Sequence, residues 1–246
     1  PPSRILVNDV VSQRARAVGE TYQVTCVLSA QELAERSDIL VLATKPQDIP
    51  GLTESIARHV KRDAVVITLA AGVRTSLVEG ILKSRGRVIR MMPNLACGVG
   101  EGATAFALGA TATDADAALV EEIMGSVGRA TRVEERHLDA VTGLSGSGPG
   151  FMAALAVAMI EGGIRSGLPK DVAAKLTLQT MKGTAELLLS DGIDPENLYR
   201  MVATPGGTTA AGWRVMDDRG VPQAISDGVV AASLRASELA EESAKR

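Results

Sequence analysis

The chain has 246 residues, 46% of them hydrophobic, with 26 Lys and Arg against 29 Asp and Glu. A net charge of −3 with no block of like charge argues against a nucleic-acid surface, which needs clustered positive charge. Only two histidines, His59 and His137, occur far apart, so neither a metal site nor a Ser-His-Asp triad is expected.

In chain order, Ile5–Val7 reads as a strand, Ser12–Val18 as a helix and Val24–Val27 as a second strand. Ser29-x-x-Glu32 is a capping box that opens the next helix. Ile39–Leu42 is a continuous apolar run, expected as a parallel strand buried on both faces. Helix 49–60, strand Val65–Leu69, helix Thr75–Lys83 and strand Val88–Met91 follow. Thr104–Leu108, a helix near Asp116–Met124 and Ala130–Val133 close the series. Alternation at this spacing predicts an α/β fold with a doubly wound parallel sheet.

From His137 onward the pattern becomes helical only. Helices are expected at Pro149–Ser166 and Lys170–Leu189, the second ended by Ser190-Asp191-Gly192. Others follow at Pro195–Val202, after Pro205, and over Pro222–Glu242. The expected division is therefore 1–136 for a Rossmann-like domain and 137–246 for an all-helical domain. The longest apolar run, Phe151–Ile160, is too short for a bilayer span, so neither a membrane span nor a signal peptide is expected. Cys26 and Cys97 lack metal-ligand spacing and are expected as buried, reduced thiols in a cytoplasmic protein. Aromatic residues make up just 2% while alanine and glycine abound, which suggests a core completed against a partner chain.

Three successive strand ends carry small or polar turns: Ala43-Thr44-Lys45-Pro46, Ala70-Ala71-Gly72 and Met92-Pro93-Asn94. In open α/β sheets ligands lie across these carboxyl ends, so the three together favour a cofactor cleft over ordinary turns. Thr142-Gly143-Leu144-Ser145-Gly146-Ser147-Gly148-Pro149-Gly150 opens the long apolar helix with glycines that leave backbone N–H groups uncovered. It reads either as an anion site or as a hinge between domains. Thr204-Pro205-Gly206-Gly207-Thr208-Thr209-Ala210-Ala211-Gly212 is a second glycine-rich turn feeding a helix. Unhindered N–H groups there would form an anion nest, with threonine hydroxyls able to bond a small molecule; tight helix packing is the other reading.

Ser145-Gly146-Ser147-Gly148-Pro149 together with Thr204-Pro205-Gly206-Gly207-Thr208-Thr209 resembles the signature of the pyrroline-5-carboxylate reductase family. Lys45-Pro46, Ala71-Gly72, Met92-Pro93-Asn94 and Val99-Gly100-Glu101-Gly102 fall in the order that family shows. The resemblance implies reduction of the cyclic imine 1-pyrroline-5-carboxylate to L-proline by NADH or NADPH, in a homodimer or higher homo-oligomer. It also implies an all-α dimerisation domain after the Rossmann-like sheet. Carried over, Thr204, Gly206, Gly207 and Thr208 would hold the substrate carboxylate, with Ser145 and Gly146 beside them. Thr209 would be the catalytic residue, bonding the ring nitrogen. Asn8, Asp9, Ala43, Lys45, Pro46, Ala71, Gly72 and Asn94 would bind the cofactor. A protonated imine is already electrophilic, so no histidine, metal or nucleophile is required.

The sequence departs from that family at its start, where no Gly-x-Gly-x-x-Gly turn stands. The expectation is an N-terminal truncation that removes the first βα unit and the main pyrophosphate site. Asp9 suits the ribose hydroxyls of NADH, whereas Arg14 and Arg16 would offset its repulsion of a 2′-phosphate. Ala30, Leu95-Ala96 and Gly150-Phe151 replace the family's Asn, Thr-Pro and Ala-Tyr. A β-hydroxyacid dehydrogenase reading requires a lysine early in the apolar helix, and Phe151–Ile160 has none. A non-catalytic relative would explain the absent phosphate loop but not the intact Thr204–Thr209 motif.

Overall fold

In the computed structural model, which describes residues 1–190 and 192–244, the β-branched runs form short strands. β1 (Leu6–Val7), α1 (Ser12–Tyr22), β2 (Thr25–Cys26), α2 (Ala30–Arg36) and β3 (Ile39–Leu42) come first. Next are α3 (Ile49–Ile56), β4 (Val65–Thr68), α4 (Thr75–Leu82) and β5 (Arg87–Met92). β6 (Gly102–Leu108), α5 (Asp114–Gly125), β7 (Gly128–Arg132) and α6 (Leu138–Val141) complete this part. The Ser29 hydroxyl accepts the Glu32 N–H, while Glu32 reaches back to the Leu28 N–H. A fully reciprocal capping box forms instead at α5, between Thr113 and Asp116.

The sheet lies in two pieces. β1 pairs in parallel with β2, and a five-stranded sheet runs in the order β3-β4-β5-β6-β7. β3, β4 and β5 are parallel, but β6 runs antiparallel to β5, with Met91 opposite Phe106, and β7 is parallel to β6. Only residues 93–101 separate β5 from β6, fewer than the dozen or so a parallel crossover takes. The fold is Rossmann-like, yet the expectation of a wholly parallel sheet is corrected at that strand.

Two apolar layers sandwich the larger sheet. α3 turns Ile49, Thr53 and Ile56 inward, and α4 turns Thr75, Val78 and Leu82, the spacing of one helical face. They meet Leu40, Leu42, Val66 and Val88 on one side of the strands. On the other side Val65, Ile67, Ile89, Met91 and Phe106 meet Val120 and Met124 of α5. β4 is thus buried on both faces. β3 is not: Leu40 and Leu42 enter the core, while Ile39 and Val41 are 37% and 48% exposed, which corrects the expectation for that run.

Asp116 also receives Arg87, whose Nε and Nη2 lie 2.8 and 2.9 Å from its two oxygens. Burial, the largest single influence, pushes its carboxyl up, but bonds from Arg87 and Thr113 outweigh it and hold Asp116 below the usual carboxylate range.

The helical part comprises α7 (Gly148–Arg165), α8 (Lys170–Ser190), α9 (Pro195–Val202), α10 (Thr208–Asp218) and α11 (Val221–Ala244). The expected stop at Ser190-Asp191-Gly192 lies partly outside the described residues. The chain forms two compact units, Pro1–Gly146 with Ala231–Arg246, and Ser147–Val230. These borders differ from 136/137. Leu138 is fully buried against Ala105 and Ala107, which draws α6 into the first unit. The later turns of α11 join it too, burying Ala236 and Ala240. In the second unit α7 and α8 approach closely, since a Cβ on Gly163 would lie 3.1 Å from that of Ala173.

Glu135–Arg165 is one continuous helical stretch of 31 residues, with a window of mean hydropathy 1.4 that is only 11% buried. By length and composition it meets the requirement of a bilayer span, contrary to the expectation drawn from Phe151–Ile160; core helices meet the same requirement. Neither cysteine is a buried residue, another correction: Cys26 is exposed in the short β2 and Cys97 half-buried. The Cys26 thiol still donates to the Ala15 carbonyl at 3.0 Å.

Candidate active site

In the first unit the strand ends set out most of the cofactor candidates. Asn8 follows β1 and donates from Nδ2 to the Val27 carbonyl at 3.0 Å, tying the ends of β1 and β2 together. Asp9 Oδ1 accepts the Val11 N–H at 2.7 Å. Ala43, Thr44 and Lys45 are exposed after β3, and Lys45 is extended, as a residue before proline must be. Ala71 and Gly72 follow β4. Gly72 has φ +76°, and a Cβ there would lie 2.7 Å from the Ala240 backbone nitrogen. Its smallness therefore serves the approach of α11, a reason the sequence does not reveal.

Asn94, after β5, is turned onto the protein. Its Oδ1 accepts the N–H groups of Ala96 and Ala103, both at 3.2 Å, and its Nδ2 donates to the Ser145 carbonyl at 3.1 Å. Ser145 and Gly146 lie in a π turn, Thr142–Gly146. The Ser145 hydroxyl bonds the Val141 carbonyl at 3.2 Å, and a Cβ on Gly146 would meet the Met92 methyl at 2.9 Å. The structure thus brings Asn94 together with two substrate candidates.

Behind these residues runs a polar network that sequence reasoning missed. Arg90 is 3% exposed. Its Nη2 donates to Asp139 Oδ1 at 2.6 Å, and Asp139 Oδ2 accepts the Ser237 hydroxyl at 3.3 Å. Glu135 lies 4.0 Å from Arg90 Nη1 and accepts the N–H and hydroxyl of Thr75 at 2.7 and 2.9 Å. An arginine inside the apolar run Val88-Ile89-Arg90-Met91-Met92 is the signal that could have found it, because such a charge is buried only when paired.

The second unit presents the Thr204–Thr209 turn. Gly206 has φ +75°, which an L side chain rarely adopts. The Gly207 N–H closes the turn on the Thr204 carbonyl at 2.9 Å, so it is already used. A Cβ on Gly207 would lie 2.6 Å from the Thr204 hydroxyl oxygen, which keeps this position glycine. α10 begins at Thr208 with no side-chain cap, and neither the Gly206 nor the Thr208 N–H has a partner among the described residues. Thr204, Gly206, Thr208 and Thr209 are exposed. Here an uncapped helix start stands among three exposed threonines, donors of the kind a small carboxylate requires. Trp213 of α10 packs against Tyr199 of α9, with centroids 5.3 Å apart and planes tilted by 51°.

No cluster of three metal-ligating side chains occurs among the described residues. The chemistry of the strand ends is compatible with a nicotinamide nucleotide: the Asp9 carboxylate could accept from ribose hydroxyls, and Lys45 and the exposed Ala43 could meet its phosphates and rings. An open depression of about 550 Å³ lined by Leu108, Arg132, Val133, Glu134 and Glu135 contains none of the candidate residues.

A family profile described as pyrroline-5-carboxylate reductase dimerisation matches residues 135–239, and one described as NADP oxidoreductase, coenzyme F420-dependent, matches residues 2–72. The pyrroline-5-carboxylate reductase of Methanosarcina acetivorans is 39% identical over 207 residues, which is 84% of this chain and 77% of that protein. That of Glycine max is 33% identical over 239 residues, 97% and 87% of the two chains. A pyrroline-5-carboxylate reductase structure from Coxiella burnetii matches with TM-score 0.89 and 32% identity, over 97% and 89% of the two chains. The Plasmodium falciparum pyrroline carboxylate reductase, solved with NADP bound, matches with TM-score 0.82 and 26% identity over 88% and 82%.

Proposed function

This chain belongs to the pyrroline-5-carboxylate reductase family, and on that premise we propose how its own residues divide the work. The reaction is reduction of 1-pyrroline-5-carboxylate to L-proline with NAD(P)H, the last step of proline biosynthesis, in a homo-oligomer. When bound, the nicotinamide supplies the hydride that the imine carbon accepts.

In the proposed arrangement the substrate carboxylate lies at the start of α10, bonded by the N–H groups of Gly206 and Thr208 and by the Thr204 hydroxyl. Gly207 contributes the bend rather than a donor. Thr209 bonds the ring nitrogen and holds the C=N carbon toward the nicotinamide; its hydroxyl then steadies the amine that forms. Ser145 and Gly146 belong to the substrate set, and Asn8, Asp9, Ala43, Lys45, Pro46, Ala71 and Gly72 to the cofactor set; Asn94, which the resemblance assigned to the cofactor, spends its amide on Ser145, Ala96 and Ala103 instead. The turn carries no ionisable side chain, so rate enhancement comes from position and aimed dipoles. Residues 1–136 serve the cofactor, and 137–246 serve the substrate and the partner chain. The exposed apolar side chains Met152, Val157 and Met159 of α7 support the latter role.

We also propose a cytoplasmic location without nucleic-acid or membrane partners, supported by two cysteines that form no disulfide. The observation that carries the substrate assignment is the uncapped helix start behind a left-handed Gly206. Gly206→Val should remove proline binding, measured by titration calorimetry, while nucleotide binding persists. Unaltered proline affinity in that variant would place the carboxylate elsewhere.

A further inference from the structure

Ser145 sits where its carbonyl has no local partner. In a continuing α-helix it would accept the N–H of residue 149, but Pro149 has none. The next candidate, one residue further in π geometry, is Gly150, and its N–H is spent on the Ser147 carbonyl at 2.9 Å. An orphaned carbonyl at such a junction needs an outside donor. Asn94 supplies it from the end of β5, across 51 residues of sequence, at 3.1 Å.

The orientation of that amide is fixed. Two backbone N–H groups, from Ala96 and Ala103, both point at Oδ1. Exchanging oxygen and nitrogen would set an NH2 against two other donors, so Nδ2 is held toward Ser145. Beside this bond the Met92 methyl closes on Gly146. The Met-Pro-Asn and Ser-Gly-Ser-Gly-Pro motifs thus form one bracket rather than two separate loops.

We propose that Asn94 is a positioning residue for imine reduction, setting the π turn Thr142–Gly146 through its bond to the Ser145 carbonyl instead of offering its amide to the cofactor. Its functional half rests on the assignment of Ser145 and Gly146 to the substrate border; its structural half does not. A reacting centre displaced by about 1 Å loses on the order of a hundredfold in rate, so loosening this turn acts on turnover more than on nucleotide affinity.

The test compares the full chain with Asn94→Asp and Asn94→Ser. Aspartate keeps the acceptor for Ala96 and Ala103 but opposes the Ser145 carbonyl with a second acceptor. Serine keeps an acceptor for Ala96 and is too short to reach Ser145. Hydrogen–deuterium exchange should quicken by about tenfold or more over 142–147 in both, with 95–103 unchanged in Asn94→Asp. With the imine substrate and NADPH, kcat should fall on the order of ten- to a hundredfold while the NADPH dissociation constant stays within about twofold. Unchanged exchange over 142–147, or a lost NADPH affinity with undiminished kcat at saturation, overturns the proposal. If the wild-type chain does not turn over the imine, the substrate assignment fails, and the exchange data still decide the bracket.

Discussion

The Arg90 guanidinium lies 2.6 Å from Asp139 Oδ1, on a strand whose neighbours all face apolar layers. Two charges withdrawn from water in this way are costly singly and tolerable together. Asp139→Ala should therefore lower unfolding free energy by about 3–5 kcal/mol, measured by urea titration, because it leaves a buried cation with only the more distant Glu135, 4.0 Å away. Arg90→Met combined with Asp139→Leu should recover much of that loss. A double variant as weak as the single one would show that the pair contributes through more than charge.

Thr209, the residue proposed to bond the ring nitrogen, is the second residue of α10 and is exposed. Removing its hydroxyl should reduce kcat/KM for the imine by on the order of ten- to a thousandfold, with thermal stability nearly unchanged. Serine at this position should restore much of the rate. Full activity in Thr209→Ala would take the residue out of the mechanism.

Gly72→Ala combines a left-handed φ with a Cβ pressed on the Ala240 backbone. The cost should be about 1–3 kcal/mol or more, visible as a lowered unfolding midpoint. Calorimetry with and without NADPH separates this loss from any effect on the nucleotide. A variant of normal stability with impaired nucleotide binding would mean that Gly72 serves the cofactor directly.

Asp116 sets a pH dependence. Its folded-state pKa is lowered, so its contribution is present above the unfolded value, near 3.9, and is lost as pH falls through the folded value. Asp116→Asn should cost about 1.5–3 kcal/mol at neutral pH, and the deficit should shrink progressively below about pH 4. A deficit independent of pH would mean that shape, not charge, matters there.

Much of this molecule was legible in the residues because local signals and packing agree. Ser29 marks a helix start, β-branched runs mark strands, and Pro205-Gly206-Gly207 marks a bend that only glycine completes, whereas the Thr113 cap shows itself only in the structure. What stayed hidden depends on distant partners. The antiparallel course of β6 follows from a connection too short for a parallel crossover, a feature that strand–helix alternation alone does not reveal. Arg90 gave a visible anomaly, yet its acids Glu135 and Asp139 stand 45 or more positions away. The real neighbours of Gly72 and Asn94, Ala240 and Ser145, leave no trace in any window of sequence.

α11 has a consequence for shortening the protein at the bench. Its later turns pack on the first unit, with Ala236 and Ala240 buried and the Ala240 backbone against Gly72. Trimming the tail ahead of Ala236 would bare that apolar ground, so clipped versions should melt sooner than the full chain.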